Sequence, residues 1–133
     1  MSRSIAITLP VADVAKSTAF FKALGFSHNP QFTGDTATCI VISDTISVML
    51  LAREQFTQFS PKPVCPSSNA EALFAIGCES KAQVDDLVAR AEKAGGKVHE
   101  RSVDYGFMYH GSFADLDGHL WALNYLSGTP PQS

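Results

Sequence analysis

The stretch Asp115-Leu-Asp-Gly-His-Leu-Trp-Ala-Leu-Asn-Tyr-Leu126 (DLDGHLWALNYL) sets two aspartates, a glycine and a histidine before an apolar run. A calcium loop would space three oxygen ligands around its glycine and close on a distant bidentate glutamate. Here Gly118 comes too early and no glutamate follows. Asp-Gly between two apolar runs is instead a strong hairpin signal, because both residues tolerate positive φ. Asp115 and Asp117 are therefore read as turn chemistry. Beyond the turn, alternation places His119, Trp121, Leu123 and Tyr125 on one face and Leu120, Ala122 and Asn124 on the other. The first face is bulky and suits a helix. The second is smaller and ends in an amide.

This hairpin strand has an earlier counterpart. Asp44-Thr-Ile-Ser-Val-Met-Leu-Leu51 aligns with Asp117-Gly-His-Leu-Trp-Ala-Leu-Asn124, and the surrounding order repeats with it. Ile5–Leu9 reads as a strand closed by Pro10, and Asp13 caps a helix carrying Val14, Phe20, Phe21 and Leu24 before Gly25 stops it. A short strand over Phe26–Phe32 follows, then strands over Ala37–Ile42 and Ile46–Leu51. The second round has a strand at Leu73–Gly77 and a Ser80-x-x-Gln83 capping box. Val84, Leu87, Val88 and Ala91 then follow at helical spacing up to Gly95-Gly96. Strands over Lys97–Val103, after Asp104-Tyr-Gly-Phe-Met-Tyr-His110, and over Leu120–Leu126 complete it. Two copies indicate a duplicated unit rather than a solenoid, which needs at least three. Residues 53–70, with three prolines, read as a surface connection, and Gln55 to Ser68 as a flap.

The chain of 133 residues is long enough for one domain with a real core, and 45% hydrophobic content excludes a disordered protein. A net charge of −3 with scattered lysines and arginines provides no footprint for nucleic acid. Cys39, Cys65 and Cys78 form no Cys-x-x-Cys pair and have no basic neighbour to activate them, so reduced, unreactive thiols are expected. The apolar run near the start is too short for a signal peptide or a membrane span, and the expected location is the cytoplasm.

"LPVADVAKSTAFFKALGF", "ISDTISVMLL", "DYGFMY" and "DLDGHLWALNYL" together resemble the vicinal oxygen chelate superfamily. This is the glyoxalase, bleomycin-resistance and extradiol-dioxygenase group, and the resemblance runs to its small bacterial members labelled predicted lactoylglutathione lyases. It covers residues 1–133 as one domain, with module one at about 4–52 and module two at about 71–127. It implies an α+β fold of two βαβββ modules, forming a curved mixed sheet around a cleft with helices outside. It also implies a homodimer and a small-molecule ligand. Enzymes of the group hold a divalent metal through His, Glu or Gln on the first and fourth strands of each module. Those positions fall here near Ala6 or Thr8, Met49, Leu73 or Ala75, and Ala122, which stands where related hairpins carry glutamate. None can hold a hard cation, so no metal ligand and no cofactor is expected unless the family chemistry is retained.

Thr8, Met49, Ala122 and Asn124 are expected to line the ligand space, with Tyr105 and Phe107, which flank Gly106, stacking on a planar ligand. His110 is the candidate catalytic base, set against His28 and His99, read as exposed, and His119, read as structural. Three functions remain open: a lyase of the lactoylglutathione lyase type, a non-enzymatic protein sequestering its ligand as bleomycin-resistance relatives do, and a metal-dependent dioxygenase or lyase with an atypical site. Fold alone does not choose among them.

Overall fold

Residues 3–128 are described by a computed structural model, and they divide at Cys65/Pro66 into two compact units. In the first, β1 (Ile5–Val11), α1 (Val14–Ala23), β2 (Ser27–His28), β3 (Ala37–Ser43) and β4 (Ile46–Ala52) form a βαβββ module. Its sheet has the order β1-β4-β3-β2, with β1 parallel to β4 and the other neighbours antiparallel. Asp13 starts α1 by accepting the Lys16 N–H at 3.0 Å, and Gly25, at φ 100°, takes the left-handed turn that ends it. Val14, Phe20 and Phe21 are buried with Leu9, Val11, Ile40, Val48 and Leu50. Phe20 and Phe21 meet edge to face at 5.1 Å.

The second unit repeats the plan with β5 (Leu73–Gly77), α3 (Lys81–Lys93), β6 (Lys97–Asp104), β7 (Met108–Ala114) and β8 (Leu120–Leu126), in the order β5-β8-β7-β6. Again the first strand runs parallel to the last. Ser80 accepts the Gln83 N–H at 3.1 Å, while Gln83 Oε1 accepts the N–H of Glu79, the residue before the cap, at 2.7 Å, a variant of the capping box. Val84, Leu87, Val88 and Ala91 are buried, as are Phe113, Trp121 and Leu123 on the sheet face they meet. Gly111 lets the helix come close: a β-carbon there would lie 2.6 Å from Val88 Cγ2. The described residues thus form two four-stranded mixed sheets, one per module.

Four local expectations need correction. The segment Phe26–Phe32 is strand only at Ser27–His28; Asn29 then caps a 3-10 turn over Pro30–Phe32, because its side chain accepts the Gln31 N–H at 3.0 Å. His28 consequently lies half-buried in β2, not in an exposed loop. The connection opens with a helix, α2 (Arg53–Phe59). Its prolines begin only at Pro61, so nothing breaks the stretch before them. The turn between β7 and β8 is not the two-residue type: Gly118 alone has positive φ, and its N–H bonds the Asp115 carbonyl at 3.1 Å. The Asp115 N–H returns to the His119 carbonyl at 2.9 Å, giving a longer loop with a left-handed glycine.

Candidate functional site

Each module presents its own concavity. In module one, α2, which opens the connection, lies over the sheet face opposite α1. Phe56 and Phe59, three residues apart, project from one side of α2 towards Thr8, Met49 and Leu51. With Ser60 they line an open, mainly apolar cavity of about 520 Å³. Leu51 is buried, while Phe59 is 74% exposed at the rim.

Strand pairing fixes the register at the positions where the resemblance places metal ligands. Thr8, not Ala6, sits beside Met49, and Ala75, not Leu73, sits beside Ala122; Ala6 pairs with Ser47 and Leu73 with Leu120. These four side chains supply one hydroxyl and one thioether, with no carboxylate or imidazole. A divalent ion exchanging its water for such a set loses more than it gains. No cluster of three or more His, Cys, Asp or Glu able to hold a metal occurs among the described residues. The residues present do not fit the group's metal.

Module two collects polar side chains on the face opposite α3. Tight antiparallel pairing sets His110 opposite Asn124 and Ser112 opposite Ala122. His110 Nδ1 lies 2.6 Å from Asn124 Oδ1, and its Nε2 lies 3.3 Å from Glu100 Oε1. The carboxylate partner that sequence could not assign to His110 is therefore Glu100. One ring nitrogen of His110 thus faces the Asn124 amide and the other the Glu100 carboxylate. Glu100 reaches this face through a register shift between Val98 and Glu100, which makes His99 the extra residue of a bulge. Leu73, His99, Glu100, His110, Ser112, Leu120 and Ala122 line a pocket of about 210 Å³ together with Phe113 and Trp121. The Ser112 hydroxyl is buried there without a hydrogen-bond partner among the described residues.

The loop carrying Tyr105 and Phe107 is held by Asp104, whose Oδ1 accepts the Gly106 N–H at 2.8 Å. That bond, and then Lys81 beside it, hold the Asp104 carboxyl below its ordinary value. Gly106 adopts φ 86°, and Ser127 Oγ donates to its carbonyl at 2.9 Å. Tyr105 is half-exposed with its ring 6.4 Å from that of His110, whereas Phe107 is half-buried. Tyr109 points the other way, its hydroxyl on the Asp85 carboxylate of α3 at 2.9 Å. His119 is buried against the Glu71 carboxylate, and His99 is exposed at the pocket rim. Burial pushes the Cys78 thiol up, which disfavours its thiolate.

Of the residues singled out from sequence, Thr8 and Met49 share the module-one cavity, and His110 and Ala122 share the module-two pocket next to Asn124. Phe56, Phe59, Glu100 and Ser112 were missed. For the two phenylalanines a signal existed, an aromatic pair at helical spacing in a proline-free stretch. For Glu100 none did, because plain alternation turns it away from Ser112.

Paired βαβββ modules with the first strand parallel to the last define the glyoxalase fold. The model of the bleomycin resistance protein-like N-terminal family matches residues 3–43. A hypothetical protein from S. aureus is 31% identical, with 94% of this chain and 95% of that one covered, at a TM-score of 0.80. A glyoxalase/bleomycin resistance protein/dioxygenase family enzyme from Burkholderia phytofirmans PsJN is 18% identical, covering 94% and 99%, at 0.77. TnmS3, an antibiotic binding protein from Streptomyces sp. CB03234, is 21% identical, covering 96% and 98%, at 0.66. These last two likenesses are of fold. No curated protein matches the chain. The chain thus has the fold of glyoxalase/bleomycin resistance/dioxygenase proteins, and its residues 3–43 match the bleomycin resistance protein-like N-terminal family.

Proposed function

We propose that this protein binds a small, largely apolar molecule without metal chemistry, as a sequestering protein of the bleomycin-resistance type. The observation that carries this reading is the cavity of about 520 Å³ beneath Phe56 and Phe59. Its walls are mainly apolar, and Thr8 and Ser60 are the two hydroxyls that can orient a ligand. A fold neighbour named as an antibiotic binding protein supports the same class of function. A lactoylglutathione lyase-like reaction needs a Lewis acid and a carboxylate base, and Thr8, Met49, Ala75 and Ala122 supply neither. In this reading the protein works as a homodimer, for which light scattering should return about twice the 14.3 kDa of one chain.

The test is a thermal-shift screen of planar aromatic compounds against the protein and its Met49→Lys variant. Hits should raise Tm in the parent and lose their effect in the variant, where an ammonium enters the apolar cavity. Close to one tightly held zinc, nickel or iron per chain, lost on mutating His110 or His119, would overturn the reading in favour of a metalloenzyme.

A further inference from the structure

The pocket of module two differs in chemistry from the apolar cavity of module one. We propose that it binds a small ligand bearing a protonated amine, with the Glu100 carboxylate as counter-ion and the Ser112 hydroxyl as second hydrogen-bond partner. Three observations converge on this. The first is the unpartnered Ser112 Oγ, buried in the pocket wall. A buried hydroxyl without a partner is costly, and a ligand that hydrogen-bonds it removes the cost.

The second is charge. Glu100 is the one carboxylate among the lining residues, and neither lysine nor arginine is among them. An ammonium entering here meets the Glu100 charge at short range in a partly desolvated site, with the imidazoles of His99 and His110 as the other titratable neighbours. The carboxylate is still accessible, since the Glu100 side chain is 40% exposed.

The third is preorganisation. Asn124 holds His110 at 2.6 Å, and His110 holds Glu100 Oε1 at 3.3 Å, leaving Oε2 to turn towards a ligand. A carboxylate already fixed by its neighbours loses little freedom on binding. The bulge at His99 exists in this chain at the place where it brings Glu100 onto the face of Ser112. Leu73, Leu120 and Ala122 then supply an apolar wall for the ligand's body.

Binding is read by isothermal titration calorimetry. Benzylamine, benzyl alcohol and benzoate have nearly the same shape and differ in charge, and each is titrated at pH 7. The expected result is saturable change with benzylamine, at about tenfold lower concentration than with benzyl alcohol, and none with benzoate. Glu100→Gln should abolish the preference for the amine with Tm unchanged. Ser112→Ala should weaken benzylamine several-fold while keeping the preference. The thermal-shift screen with Met49→Lys reads apolar binding and the Glu100→Gln comparison reads charge preference, so either proposal can fail alone. Equal response to all three probes, no saturable response to benzylamine, or a preference that survives Glu100→Gln would overturn the assignment.

Discussion

The Asp115 carboxylate accepts the Trp121 indole N–H at 3.0 Å, from inside the turn that joins β7 to β8. Its other oxygen accepts the backbone N–H groups of Asp117 and His119, each at 3.0 Å. One buried side chain thus ties the turn to the large ring under α3. Asp115→Ala would leave three donors short of a partner, and we expect a loss of roughly 2–4 kcal/mol in urea unfolding. Asp115→Asn keeps an oxygen for the backbone but sets its amide against the indole N–H, and should lose less.

The same residue makes stability depend on acidity. Burial pushes the Asp115 carboxyl above its ordinary value, against the opposing pull of His119 and the three N–H donors. The folded state therefore holds this proton more tightly than the unfolded chain. Its contribution is fully present below the ordinary aspartate range, and is lost as pH rises through the raised value. Unfolding free energies measured across the acidic range should show this decline in the parent, and Asp115→Asn should lack it. Parallel curves for the two proteins would refute it.

Gly111→Ala should destabilise by about 1–3 kcal/mol, because the added methyl meets Val88 Cγ2 at 2.6 Å and Val84 Cγ1 at 3.3 Å. Gly77→Ala is the control: nothing lies within 4 Å of a β-carbon there. A similar loss in both would point to backbone entropy instead of the α3 contact.

Leu87→Ala removes a buried side chain from α3 and should lower stability by about 2–5 kcal/mol. Chemical denaturation measures it, and a change within error would contradict the packing of α3 on its sheet.

Limited digestion with a protease of broad specificity should cut first between residues 61 and 71. That stretch is mostly exposed and lies between α2 and β5. Cleavage inside Arg53–Phe59 at the same rate would mean that α2 does not hold its place over Thr8 and Met49.

How much of this was legible beforehand differs residue by residue. The capping residues Asp13 and Ser80, the stop at Gly25, and the buried stripe Val84, Leu87, Val88 and Ala91 follow from interactions within one turn of helix, and local sequence contains all of them. The faces of β8 were equally readable, since a strand's period of two needs no partner to define it: Trp121 and Leu123 are buried, Leu120 and Ala122 less so.

What sequence by itself determined, then, is the duplicated βαβββ plan and the absence of His, Asp or Glu at Ala6 or Thr8, Met49, Leu73 or Ala75, and Ala122, because identity and short-range periodicity suffice for both. Tertiary structure alone decided which residues meet across strands. The bulge at His99 depends on how β6 pairs with β7, and that pairing carries Glu100 to His110 and Ser112. Likewise Phe56 and Phe59 became cavity walls only when α2 settled on the sheet. Such contacts join residues distant in the chain, and their energies depend on register and docking, which no local pattern encodes.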